Sequence, residues 1–267
     1  MRKYISFFRI RLIAGLQYRA AAWAGIFTQA VWGLMLILMY RAFYKSGSDA
    51  FPMEFGALST YIWLQEALLT LFAAWAFDND IFDSITSGAV AYELCRPCGM
   101  YGMWFVKNMA MRIARVALRC LPIVVVAALL PAPYGLTLPA GFGAGVLFLV
   151  SLVLGVLVSV SFVMLVYISA FYTLSSSGVR VLGASVVEFL SGVVIPLPFF
   201  PEKLQKVLNL LPFASMQNTP ILIYTGHLGF AEALKAMGLQ LVWLVLLGGL
   251  GLVLIRRALK KVVIQGG

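Results

Sequence analysis

The sequence predicts an all-α polytopic membrane protein, and three observations carry that prediction. Hydrophobic residues make up 62% of the 267-residue chain, charged residues only 11%, and the mean hydropathy is +0.96. A soluble domain carries about 25% charged residues, so this chain has no charged shell for a water-soluble core. That excludes a soluble cytosolic enzyme and a disordered chain alike. Long uncharged runs are the second observation. No charge falls between Arg19 and Arg41, between Lys235 and Arg256, or in the 60 residues between Arg119 and Arg180. A span needs about 20 mostly apolar residues. Third, the positive charge is uneven along the chain, as the positive-inside rule requires of short loops.

Residues 1–19 come first. Ile5, Phe8, Leu12 and Leu16 recur at helical spacing, although Phe7 and Ile10 fall off that face. With five basic residues the segment reads as a helix lying on the inner membrane surface. The alternative is a solvated basic flank of the first span. No cleavable signal peptide is expected, because Arg9, Arg11 and Arg19 interrupt any early apolar core.

Six spans are expected, at about 20–40, 57–77, 108–130, 141–172, 181–200 and 236–255, in a single transmembrane domain over 1–267. The second and fifth carry one acid each, Glu66 and Glu188. The 60-residue uncharged run divides at Leu130-Pro-Ala-Pro-Tyr-Gly135, a turn signal. The fourth is longer than one crossing needs. Fifteen of the 20 Lys and Arg then fall on one side, in the N-terminal segment, the region between spans 2 and 3, Arg180 and the tail. Both termini are therefore placed in the cytoplasm. Charge split among several loops makes nucleic-acid binding a poor reading.

Between spans 2 and 3, Asp78, Asp80 and Asp83 form an acidic group. It lacks the glycine and closing glutamate of a calcium loop, and acids in a first helical turn suit the helix dipole. Ile81, Phe82 and Ile85 give a short helix an apolar side, Gly88 can stop it, and Arg96-Pro97 prevents its continuation. Such a helix suits docking into a groove on another protein or resting on the lipid surface. Cys95-Arg-Pro-Cys98 has the spacing of half a zinc site, but a zinc site needs about four ligands. No second pair exists, Cys120 is the one other cysteine, and the one histidine, His227, is expected on the far side.

Arg112, Arg115 and Arg119 share one helix face. They read as contacts to lipid phosphates or an acidic partner, or as an ordinary positive-inside anchor. Beyond span 5, Pro196–Thr225 is too apolar for an ordinary loop and too broken by proline for a span. It reads as short helices dipping into the outer leaflet, and Phe199 and Phe200 stand where it begins. It would be an outer gate or a structural lid. Glu66 and Glu188, as intramembrane acids, are candidates for a transport path. Gly141-Phe-Gly-Ala-Gly145 and Gly248-Gly-Leu-Gly251 read as close helix packing or a dimer seam. Trp23, Trp32, Tyr40, Tyr61, Trp63, Trp75 and Trp104 lie mostly near expected span ends, as interfacial aromatics do.

The chain resembles the permease subunits of bacterial type-2 ABC transporters, in particular the short six-span kind that works with a separate ATPase. The resemblance runs nearly end to end. It rests on the opening Arg-Lys-Tyr-Ile-Ser-Phe-Phe-Arg-Ile, Tyr61-Ile-Trp-Leu-Gln-Glu66, Phe77-Asp-Asn-Asp-Ile-Phe-Asp-Ser84 and Ala91-Tyr-Glu-Leu-Cys-Arg-Pro97. Tyr101-Gly-Met-Trp-Phe-Val-Lys107, Ile195-Pro-Leu-Pro-Phe-Phe-Pro201, Leu211-Pro-Phe-Ala-Ser-Met-Gln217 and the tail from Lys260 complete it. The resemblance implies that residues 1–19 are a connecting helix and that roughly Asp80–Arg96 is the coupling helix. Asp80, Ile81, Phe82, Asp83, Ile85, Gly88, Glu93 and Arg96 would then couple to the ATPase. It also implies re-entrant helices after span 5, a second permease chain (identical or paralogous), and two ATPase subunits in the bacterial cytoplasmic membrane. No glycine here is followed by lysine, so the chain has no Walker P-loop; ATP and Mg would sit on the partner, and this chain would bind no cofactor. The expected function is ATP-driven export of an amphiphilic or hydrophobic compound (drug, lipid or peptide). The alternatives are a proton-coupled antiporter using Glu66 and Glu188, and a lipid-modifying membrane enzyme, for which no nucleophile-base-metal cluster is visible.

Overall fold

The computed structural model describes residues 2–47, 51–173 and 176–260. Lys261 and the rest of the tail, to Gly267, lie outside the described residues. Those residues are helical and contain no strand. The elements are α1 (Arg2–Leu16), α2 (Arg19–Ser46), α3 (Phe55–Phe72), α4 (Asn79–Thr86), α5 (Val90–Leu94), α6 (Met100–Leu129), α7 (Phe142–Ser169), α8 (Ser176–Leu190), a 3-10 turn at Leu197–Phe199, α9 (Glu202–Leu210), α10 (Asn218–Tyr224) and α11 (Phe230–Leu259).

Three of these helices, α2, α7 and α11, are long and apolar enough to cross a membrane. At 1.5 Å per residue, α7 is about 42 Å long, which exceeds a hydrocarbon core of about 30 Å. The 30-residue α6 is also long, but Lys107, Arg112, Arg115 and Arg119 charge its first two-thirds. Two expected spans have shorter helices. α3 stops at Phe72 rather than 77, and α8 covers Ser176–Leu190 rather than 181–200. The break after α8 has a local cause. Gly192 adopts φ +84°, a left-handed conformation, and a Cβ there would meet Leu197 Cγ at 3.1 Å and the Tyr61 hydroxyl at 3.2 Å. Pro196 and Pro198 then keep the chain from re-entering a long helix.

Packing follows two groups. α2, α3 and α6 pack on one another with α1 laid along α6, while α7 packs on α11 and α10. The α1–α6 approach is close enough that a Cβ on Gly15 would come 2.6 Å from Ala114 Cβ. The face that α1 turns inward is the expected one at Phe8, Leu12 and Leu16, and departs from it at Ile5 and Phe7. Tyr4, Phe7, Phe8, Leu12 and Leu16 are half-buried, whereas Ile5 and Ile10 are exposed. Gly102 leaves room for the Tyr4 ring, 3.0 Å from where its Cβ would be.

The chief core cluster joins α3, α4, α6 and α7 through Phe77, Phe82, Trp104, Met164 and Tyr167. A second joins α2, α3 and α6 through Ile37, Leu58, Trp63 and Ile123. The aromatics expected at interfaces divide accordingly. Trp23, Trp32 and Trp75 are exposed, but Tyr40, Tyr61, Trp63 and Trp104 are buried. Three of these have protein partners: Trp63 Nε1 donates to Tyr134 O at 2.8 Å, Tyr61 OH to Asn218 Oδ1 at 2.9 Å, and Trp104 Nε1 to Glu93 Oε2 at 2.6 Å. Of the glycine clusters, Gly251 makes room for the Tyr101 ring, which a Cβ there would meet at 2.9 Å, while Gly141, Gly143 and Gly249 face open space.

Candidate functional site

Two regions gather the residues singled out above. The first is the turn and helices between α3 and α6. Asp78 caps α4, its carboxylate accepting from the Asp80 backbone N–H at 3.1 Å. Ser87 and Gly88 (φ +76°) end α4, and α5 follows as a short second helix. The segment between α3 and α6 is thus two helices with an elbow at Gly88.

Its orientation corrects one expectation. The apolar side of Ile81 and Phe82 is expected to meet a groove on another protein or the lipid surface. These residues are instead 1% and 2% exposed, turned into the chain's own core. The Phe82 ring lies 4.9 Å from that of Tyr167 on α7 and 5.7 Å from that of Phe77. Burial of the apolar side follows from its amphipathic spacing, since a neighbouring helix in the same chain is available to cover it. Ile85 is half-buried. The outer side carries Asp80, Asp83, Tyr92 and Arg96, all exposed.

Polar bonds fasten this segment to four other elements. Lys107 pairs with Asp78 at 2.8 Å and Asp80 at 3.0 Å. Those contacts hold the Asp80 carboxyl below the usual carboxylate range, chiefly through the Lys107 hydrogen bond. Trp104 Nε1 donates to Glu93 Oε2 at 2.6 Å, tying α5 to α6. Asp78 N–H donates to the Tyr167 hydroxyl at 2.7 Å. Arg180 on α8 donates to Asn79 Oδ1 at 2.9 Å and lies over the Phe82 ring at 4.9 Å. Lys3 Nζ donates to Pro97 O at 3.1 Å, which brings the α1 N-terminus to the same loop.

The second region is a polar belt inside the bundle. Glu66 is 3% exposed, and its Oε2 has no partner among the described residues. Gln29 donates to the Glu66 backbone carbonyl at 2.9 Å, Gln217 to that of Gln65 at 3.1 Å, and Gln65 to Val193 O at 2.7 Å. Gly33 sits against the Glu66 side chain, with 3.2 Å from its would-be Cβ to Glu66 Cγ. Glu188 is half-buried on α8, beside Ser191 and Gln217 in a small separate cavity. No hydrogen bond joins it to Glu66. The Phe199 ring lies 5.5 Å from that of Tyr40 and tilted to it, whereas Phe200 packs in the cluster around Leu197.

The belt was only partly foreseen. Gln29, Gln65, Gln217 and Asn218 were not expected to meet. The one available signal was amides standing in apolar segments. The segment after α8 does form short helices. α10 is buried from Asn218 to Ile223, while α9 exposes Leu204, Val207 and Leu210.

The three arginines separate by depth. Arg112 is 0% exposed, so it does not reach lipid or a partner as expected. Its Nη1 donates to Leu71 O at 2.8 Å, and its Nε and Nη2 are buried without partners. The face it shares with Arg115 and Arg119 is covered by α3 at that height. Arg115 and Arg119 are half-buried.

The pattern of long apolar helices and a two-part helical elbow gains a family assignment from sequence comparison. A family model described as ABC-2 family transporter protein matches residues 30–266. The chain belongs to the ABC-2 transporter family. This ABC-2 protein is therefore a multi-pass membrane transport subunit, not itself catalytic, of a kind that works with ABC ATPase partners. No individual curated protein matches it.

Proposed function

We propose that this ABC-2 protein is the transmembrane subunit of an ATP-driven exporter that moves an amphiphilic or hydrophobic compound out of the cytoplasm by alternating access. The single observation behind the coupling part of this reading is the two-faced α4–α5 segment. Its inner face is locked to α7 through Phe82 and Tyr167, and its outer face offers Asp80, Asp83, Tyr92 and Arg96 to a partner. A push on that outer face has a stiff route into the bundle, because closely packed interiors transmit displacement.

In this reading two permease chains flank the path, two ATPase subunits bind ATP and Mg beneath, and both termini lie in the cytoplasm. The chain crosses six times, with α3, α6 and α8 joining α2, α7 and α11. The short α8 would be completed by the irregular stretch before Leu197, which buried protein neighbours make tolerable at membrane depth. α9 and α10 would dip into the outer leaflet, and Glu66, Glu188, Phe199 and Phe200 are the candidates for the path. Membership of the ABC-2 family weighs against the proton-coupled antiporter.

The test follows from the orientation of α4. Variants at Ile81 or Phe82 would unfold the segment, so they report stability rather than docking. The informative change is Asp83→Lys with Tyr92→Ala, on the outer face. Co-purification with the cognate ATPase and ATP hydrolysis in lipid are then measured. Loss of the complex, or at least about a tenfold fall in substrate-stimulated hydrolysis with the chain still folded, is expected. Parent-level assembly and stimulation would refute the docking face.

A further inference from the structure

A cavity of about 410 Å³ lies apart from the α4–α5 segment and the polar belt. It sits where the α1–α2 junction, the end of α3 and the charged part of α6 converge. Ala22, Met111 and Leu118 give it apolar walls, and the exposed Tyr18 and Trp75 stand at its mouth. Its polar groups are all donors or neutral. Arg115 and Arg119 line it, together with Thr70, which is 3% exposed and whose hydroxyl has no partner.

No described carboxylate forms an ion pair with the charge in this cavity, although Asp78 is near enough to act on Arg115. The only ion pairs among the described residues are those of Lys107 with Asp78 and Asp80. Among the described residues, neither Arg115 nor Arg119 has a carboxylate within ion-pair distance. Asp78, the acid on the adjoining turn, is held by Lys107 at 2.8 Å. Arg119 gives one N–H to Ala21 O at 3.2 Å and keeps others available. α2 is shaped to admit it: a Cβ on Gly25 would collide with the Arg119 guanidinium. A glycine held open for a guanidinium, and a buried hydroxyl left unbonded, are features of a site built for an acceptor-rich ligand. Buried polar groups ordinarily have partners, and guanidinium matches phosphate in charge and geometry.

We propose that this cavity binds the phosphate headgroup of an anionic glycerophospholipid from the leaflet on the α4–α5 side. The apolar walls favour an amphiphile over a free ion, since they offer a water-soluble phosphate nothing to bury, whereas the upper part of an acyl chain gains by covering them. The assignment goes beyond the transport reading and does not rest on it. The lipid would be held whatever compound the assembly moves, and binding is measured without the ATPase.

The test is lipid binding by the purified full chain in detergent, with bound molecules counted by native mass spectrometry. Phosphatidylglycerol should bind about tenfold more tightly than phosphatidylcholine. Arg115→Gln and Arg119→Gln should each weaken the phosphatidylglycerol complex by about tenfold, the scale of one lost charge-assisted bond. Gly25→Ala displaces only the mobile end of Arg119, so it should reduce binding even where a glutamine variant fails to fold. Arg119→Lys should retain part of the preference. Arg41→Gln, at the other end of α2, should bind like the parent. Equal binding of the two lipids, or parent-level binding by the Arg115, Arg119 and Gly25 variants, would overturn the site. Displacement of the lipid by millimolar inorganic phosphate would overturn the lipid assignment in favour of a soluble anion.

Discussion

α3 and α11 make an instructive pair. α3 has 14 of its 18 residues buried, among them Gln65, Glu66 and Thr70. α11 has only six of 30 buried and presents Val242, Val245, Leu246 and Leu250 outward. The more enclosed helix carries polar side chains along its middle, whereas the less enclosed one has a charge-free apolar stretch between Lys235 and Arg256. In water the order would be reversed. Lipid is as apolar as leucine, so it takes no preference for a buried over an outward-facing leucine, whereas polar groups must find partners inside. Hydropathy in this chain reports contact with lipid rather than centrality.

Truncating matched residues in the two helices is the strongest way to break that comparison. Leu58, fully enclosed on α3, should cost about 2–5 kcal/mol as Leu58→Ala. Leu246→Ala, at a half-exposed site on α11, should cost under about 1 kcal/mol. Thermal unfolding in one detergent checks both, and similar losses would mean that α11 is covered as deeply as α3. Glycines sharpen the contrast at the next level. Gly155 on α7 faces the Met216 carbonyl so closely that a Cβ would overlap it, and backbone cannot swing aside. Gly155→Ala should destabilise by about 1–3 kcal/mol. Gly249→Ala, with nothing within 4 Å, should stay within about 0.5 kcal/mol of the parent.

The exception within α11 is Gln240, wholly buried. It accepts from Ser151 Oγ at 3.0 Å and donates to Ser215 O at 2.8 Å. Gln240→Leu leaves these groups unpaired and should cost about 1–2 kcal/mol, despite making the helix more apolar. A gain in melting temperature would contradict this account. The smallest effect concerns Lys107 and Asp80. Asp80 has a lowered pKa in the folded chain, so the pair stabilises at neutral pH. That contribution is present above the unfolded value of about 3.9 and is lost as pH falls through the folded one. Because the Asp80 side chain is 77% exposed, Lys107→Met should remove under about 1 kcal/mol through this pair. Melting at pH 7 and pH 3 should show the Asp80 part of the difference shrinking in acid.

Much of the helical layout was legible in the sequence. Long uncharged runs gave α2, α7 and α11, because continuous apolar surface has no other use at that length. Leu130–Gly135 marked the turn after α6, and the prolines after 195 marked a broken segment. The candidate site was less legible, for a physical reason common to its errors. Spacing tells which residues share a face but not what covers that face. Ile81 and Phe82 formed the apolar side expected, yet Tyr167, far along the chain, covers them. Arg112 shares a stripe with Arg115 and Arg119, yet α3 encloses it alone. Tyr61, Trp63 and Trp104 are aromatics of the kind that mark interfaces, yet they are buried and their hydrogen bonds lead inward. Each outcome depends on contacts between residues distant in sequence.

The Lys3–Pro97 bond joins the first residues of the chain to the loop beyond α5, and α1 is laid along α6, which that loop begins. These parts therefore form one stiff assembly with two handles. One handle lies along the helix surface that Ile5 and Ile10 leave open, and the other is the outer face of α4–α5. Displacing either handle by a few ångströms must carry the other with it or sever the bond.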